Sequence, residues 1–132
     1  MKVLAYCLLL VSVVSRADEA QCLASIMYAE ARGESTEGVV AVGQASVNRA
    51  TNQHTTVCKI TGVQRREPAQ SMIDYYVGLA RSLLMHKSQS VVHGADSWER
   101  SKKPSFPGKI TRRVGDHTFY ILQPTGEHHG RK

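Results

Sequence analysis

The sequence predicts an α+β domain, mainly helical, with one small β-hairpin element. Three observations carry that expectation. Residues 22–49 read as a helix, a glycine break and a second helix. Residues 71–87 hold a further apolar stripe at helical spacing. Near the end, Gly115-Asp116 separates two short apolar segments, which is a strong hairpin signal. The chain has 132 residues, with no internal repeat and no low-complexity region, and accommodates a single domain over residues 18–122.

Residues 1–17 read as a secretory signal peptide. Lys2 is the positive region, residues 3–14 are the apolar core, and Ser15-Arg16-Ala17 supplies small residues ahead of a cleavage point. Cleavage is expected before Asp18, which sends the protein to the periplasm or outside the cell. The apolar run is short for a bilayer span, so no stable membrane anchor is expected. Removal takes Lys2 and Arg16, and the formal charge falls from +6 by two, to +4. Removal also takes Cys7 and leaves Cys22 and Cys58. Two cysteines in an exported chain make a disulfide the default expectation, with a pair of buried thiols as the alternative. Positive charge in an exported protein suits an anionic polymer such as a bacterial cell wall, and also nucleic acid or a membrane surface. No basic stripe interleaved with aromatics is present, so nucleic acid is not an expected partner.

In the first helix Leu23, Ile26 and Met27 lie at i, i+3 and i+4. The next position on that stripe, i+7, is Glu30, and Gly33 ends the helix one turn later. A carboxylate on the inward side of a helix is costly unless it is paired or protonated. The C-terminal end of a helix also disfavours negative charge. Glu30 is thereby a candidate general acid, the group a glycosidase needs to protonate a leaving oxygen. The competing reading neutralises it with Arg32, Arg49 or Lys59.

The second helix is expected from Thr36 to Arg49, with Ser35 as N-cap and Glu37 in the first turn. It is dense in Val, Ala and Gly, so burial on more than one side is expected, and Gly43 and Ala45 permit close helix approach. Asn48 has two readings: a C-terminal cap, or an amide that orients a carboxylate or a sugar amide. Residues 57–63 alternate and suggest a brief extended segment. Residues 64–70 read as an exposed turn. Ser71 with Asp74 resembles a capping box opening a third helix to about Lys87. Its stripe of Ile73, Tyr76, Val77, Ala80, Leu83 and Leu84 reads as core. Residues 91–98 suggest a strand and turn. Residues 110–114 and 117–122 form the hairpin, and residues 123–132 read as a mobile tail.

Several of these residues agree together with one family pattern. Tyr28-Ala29-Glu30-Ala31-Arg32-Gly33-Glu34, then Gly38, Ala41-Val42 and Asn48-Arg49, resemble the SleB-type cell wall hydrolases, which include spore cortex-lytic enzymes and related phage or bacterial lysins. Cys58, Gly94-Ala95 and the closing Gly115-Asp116-His117-Thr118-Phe119-Tyr120 are similar to that pattern too. The resemblance covers essentially all of residues 22–120. It implies a lysozyme-like fold, action on peptidoglycan glycan strands, and Glu30 as the catalytic acid. Two stretches depart from the family: Gln70-Ser71-Met72 lacks an aromatic, and Asp96-Ser97-Trp98 replaces a Thr or Ser followed by Tyr or Phe.

The resemblance and the inward Glu30 together point to cleavage of the β-1,4 bond between N-acetylmuramic acid and N-acetylglucosamine. A lytic transglycosylase needs one carboxylate, which acts as acid and then as base. Hydrolysis needs a second carboxylate or substrate assistance. Glu34 is the nearest candidate helper, with a structural role as its alternative. Tyr28, Asn48, Trp98, His117 and Tyr120 are the candidate groove residues, and Phe119 is expected in the core. No cofactor or metal is expected, and the protein is read as a monomer. One rival is a zinc amidase drawing on His54, His86, His93, His117, Asp96 and Asp116, but no metal-ligand spacing supports it. A second rival is a catalytically inactive glycan-binding module.

Overall fold

Apolar residues on several faces of residues 20–31 require a helix that is covered from more than one side. The computed structural model, which describes residues 16–86, 91–101, 105 and 107–122, builds the domain around that helix. Helix α1 (Arg16–Ala31) buries Ala20, Leu23, Ala24, Ile26, Met27, Tyr28 and Ala31. Helices α2 (Thr36–Asn52) and α3 (Ile73–Met85) both pack on it. Gly43 lies where the three meet. A Cβ added there would come within 2.5 Å of Leu83 Cδ1 and 2.9 Å of Met27 Sδ, so the close approach depends on the missing side chain. Helix α1 begins at Arg16 and crosses the expected cleavage junction. The rest of the expected signal segment and the tail at 123–132 lie outside the described residues.

The break after α1 is made as expected. Gly33 takes a positive φ of +88°, and the Glu34 N–H donates to Ala31 O at 3.0 Å. Ser35 Oγ then accepts the Gly38 N–H at 3.3 Å and caps α2. Helix α2 runs on past the expected end at Arg49 to Asn52.

Strands β1 (Ser97–Glu99), β2 (Gly108–Val114) and β3 (His117–Leu122) form an antiparallel sheet in the order β1-β3-β2. Trp98 stands opposite Phe119, and Val114 opposite His117. Gly115 carries the positive φ of the turn, +55°, at the first central position alone, the pattern a type II′ turn uses. Among the described residues, three α-helices with a small sheet make the α+β class.

Three local expectations are corrected. The Ser71–Asp74 capping box does not form. Residues Gln70–Met72 make a 3-10 turn, and Met72 precedes α3 without a side-chain cap. Residues 57–63 are not extended at their start, because Val57–Lys59 also form a 3-10 turn. There the Arg65 guanidinium reaches the carbonyls of Val57, Cys58 and Ile60 at 3.3, 3.3 and 2.8 Å. The strand expected from residue 91 begins only at Ser97. His93 and Gly94, at φ +53° and +81°, make a turn first.

A Cys22–Cys58 disulfide ties α1 to the 3-10 turn after α2. Thiol labelling of the exported, unreduced protein under denaturing conditions is expected to find neither Cys22 nor Cys58 reactive. Cys22→Ser with Cys58→Ser should lose about 2–4 kcal/mol of stability in urea. Two labelled thiols would contradict the bridge.

Candidate active site

Glu30 occupies the last turn of α1, where the helix end meets the sheet, and is half-buried. Its Oε1 accepts the backbone N–H of Gln64 at 2.7 Å, and its Oε2 accepts the indole N–H of Trp98 at 3.2 Å. Both partners are pure donors, so the carboxylate is fixed at both oxygens, and each oxygen keeps a further lone pair. The segment carrying Gln64 is held along α1 by the Arg66 N–H to Ser25 O, at 3.0 Å. The Glu30 carbonyl accepts from Arg100 Nη2 at 3.2 Å. Arg32, Arg49 and Lys59, offered from sequence as neutralising partners, make no ion pair with Glu30 among the described residues; Arg49 acts on it only at longer range.

Trp98, 9% exposed, lies under the Arg49 guanidinium, whose centre is 4.7 Å from the ring centroid. Arg49 donates from Nε to Asp96 O at 2.7 Å, from Nη1 to Thr61 O and Gly62 O at 3.1 and 3.0 Å, and from Nη2 to Ser97 Oγ at 3.4 Å. Burial pulls this guanidinium below its ordinary pKa, and Asp96, Tyr120 and Glu30 oppose the shift.

Asn48 neither caps α2 nor faces a carboxylate. Its Nδ2 donates to Ala95 O at 2.8 Å and its Oδ1 accepts from Gln44 Nε2 at 3.1 Å, which latches the strand entry to the helix. Tyr28 is buried and packs edge-on against Tyr76 at 5.2 Å, with Arg32 5.2 Å over its ring. Tyr120 is 3% exposed and donates to Glu99 Oε1 at 3.2 Å. Burial first, then Glu99, pushes its phenol up to about 12. Glu34 is turned inward, with a side chain 10% exposed and Oε1 at 3.3 Å from His117 Nδ1. Its other oxygen covers Gly115, where an added Cβ would fall 2.5 Å from it.

His117 shares the core-facing side of β3 with Phe119 and is 1% exposed. The sequence reading separated these two residues, but alternation along a strand puts i and i+2 on one face. Neither ring nitrogen of His117 has a well-aligned hydrogen bond among the described residues. Beside it opens a cleft of about 420 Å³, bounded by Arg100, Arg113, Asp116, His117 and Thr118 among others. That size lies within the range of small-ligand sites.

Burial holds the His117 imidazole below its usual 6.5. Glu34 and Glu30 pull the other way, and Arg100 adds to the lowering. The unfolded chain therefore binds more protons than the folded one as pH falls below 6.5. Stability is expected in full above that pH and to decline below it. Urea unfolding across that range should show this slope in the wild type and a flatter one in His117→Asn. Equal slopes would contradict the assignment.

Sequence reasoning did not find the Gln64 N–H or Arg100. A backbone donor leaves no side-chain signal, and Arg100 acts only once β1 reaches the end of α1. No protein-family model, curated protein or solved structure matches the chain.

Proposed function

We propose that the protein cleaves peptidoglycan glycan strands, with Glu30 as a single acid and base in a lytic transglycosylase reaction. The observation that carries this reading is the Glu30 carboxylate, half-buried at the helix–sheet junction and held at both oxygens by the Gln64 and Trp98 N–H groups. Glu30 first gives a proton to the glycosidic oxygen, and the C1–O bond breaks. The muramic acid 6-hydroxyl oxygen then bonds to C1, and its proton passes to Glu30. Nothing is consumed besides the glycan, and the carboxyl group ends as it began. Between the two transfers Glu30 is a carboxylate, and two fixed N–H donors suit that form. Glu34, turned against His117 and Gly115, fits a structural role in this scheme.

The Cys22–Cys58 bridge is compatible with an exported protein. Among the described residues, no helix is long and apolar enough to cross a membrane. No group of three His, Cys, Asp or Glu is gathered to hold a metal ion among those residues, so no observation favours the zinc amidase. The test is incubation of the purified protein with purified peptidoglycan, following turbidity and released fragments. Clearing with soluble glycan fragments is expected. Binding without release would assign an inactive glycan-binding module instead.

A further inference from the structure

We infer that Arg49 and Trp98 are positioning residues for Glu30, with one guanidinium bracing the two walls that each supply a donor to its carboxylate. A glutamate bonded at one oxygen can still swing about that bond. The Gln64 N–H at Oε1 alone leaves the carboxylate plane free, and the indole N–H at Oε2 fixes it. Trp98 is thus the side chain that sets the direction in which the remaining lone pairs point.

Arg49 fixes both donors from one place. Its Nε and Nη2 bond the Asp96 carbonyl and Ser97 hydroxyl, immediately before Trp98 on its strand. Its Nη1 bonds the Thr61 and Gly62 carbonyls, just ahead of Gln64. The planar fork of an arginine allows this, and the point charge of a lysine does not. The same guanidinium covers the indole face at 4.7 Å. A cation there restricts the ring and makes its N–H edge more positive, which strengthens the bond to Oε2. Gly62, at φ +74°, leaves space for this contact, since an added Cβ would lie 3.3 Å from Arg49 Nη1.

The effect on turnover rests on the glycan-cleaving reading of Glu30, while the contact itself can be read without any substrate. Trp98 is the single tryptophan of the chain, so an ¹⁵N-labelled sample gives one indole N–H resonance. That resonance is expected to move in Glu30→Gln and in Arg49→Lys. Trp98→Phe keeps an aromatic ring for the guanidinium and removes the N–H donor along with the five-membered part of the indole. Its kcat on peptidoglycan is expected to fall about 10²-fold, the scale of a small misplacement of a reacting group, with KM near the wild-type value. A purely structural role would instead lower the melting temperature and leave kcat intact. If Arg49→Lys fails to fold, Trp98→Phe still decides. An indole resonance unmoved by Glu30→Gln, or a wild-type kcat in Trp98→Phe, would overturn the inference. A resonance that moves in a protein that cleaves no glycan would support the positioning and refute the proposed activity.

Discussion

Glu30→Gln is expected to lose about 10²–10⁴-fold in turnover of peptidoglycan while the protein stays folded. The substitution keeps the shape and removes the transferable proton. It has a second, smaller effect. Both carboxylate oxygens accept N–H donors, from Gln64 and from Trp98, and a glutamine has one oxygen to offer. Its NH₂ must therefore face one of those donors, at a cost of about 1–2 kcal/mol. Rates should accordingly be compared well below the variant's melting temperature, and circular dichroism should report unchanged helix content. Glu34→Gln serves as the comparison. Its carboxylate faces His117 and the Gly115 turn, so its loss should appear mainly in stability. Equal losses of turnover in both variants would assign a two-carboxylate hydrolysis.

Asp96→Ala is expected to cost about 1–3 kcal/mol, the scale of removing the shared acceptor of several hydrogen bonds. Asp96 is 8% exposed. Its Oδ1 accepts from Ser97 Oγ at 3.1 Å and from the Leu122 N–H at 3.0 Å, and its Oδ2 accepts from Asn52 Nδ2 at 2.9 Å. One carboxylate therefore joins the end of α2 to β1 and β3. Its removal breaks its bonds with the Leu122 N–H and with Asn52, both on exposed residues that water can reach, and takes a neighbouring charge from the desolvated Arg49 guanidinium. Asp96→Asn keeps the volume and an acceptor and should cost less. Urea unfolding of both variants checks this; a loss below about 1 kcal/mol in Asp96→Ala would show that the network does not hold the sheet to the helices.

Periodicity and glycine placement made the helices and the hairpin legible. Leu23, Ile26 and Met27 marked the buried side of α1, Gly33 its end, Ser35 the next cap and Gly115 the turn. Each of these is local physics. What was not legible is tertiary. Asp96, offered from sequence as a metal ligand, joins three elements that meet only after folding. Asn48 bonds a carbonyl 47 residues away, which no capping rule anticipates. His117 and Tyr120 were placed toward a groove; both are buried on β3, and His117 also bounds the cleft beside it. Glu30 was singled out by its stripe, whereas the two N–H groups that bond it were not. Trp98 was singled out as a departure from a family pattern and as a groove residue, not as a donor to Glu30, and Gln64 acts through its backbone.

The most direct test of single-carboxylate glycan cleavage is mass spectrometry of the fragments that the wild-type protein releases from purified peptidoglycan. A transglycosylase leaves 1,6-anhydromuramic ends, one water lighter than the reducing ends left by hydrolysis. The expected spectrum contains anhydro-ended muropeptides in the wild-type digest, and none above background with Glu30→Gln. Reducing ends throughout, cleavage confined to the peptide stem, or the same fragments from Glu30→Gln would contradict the account.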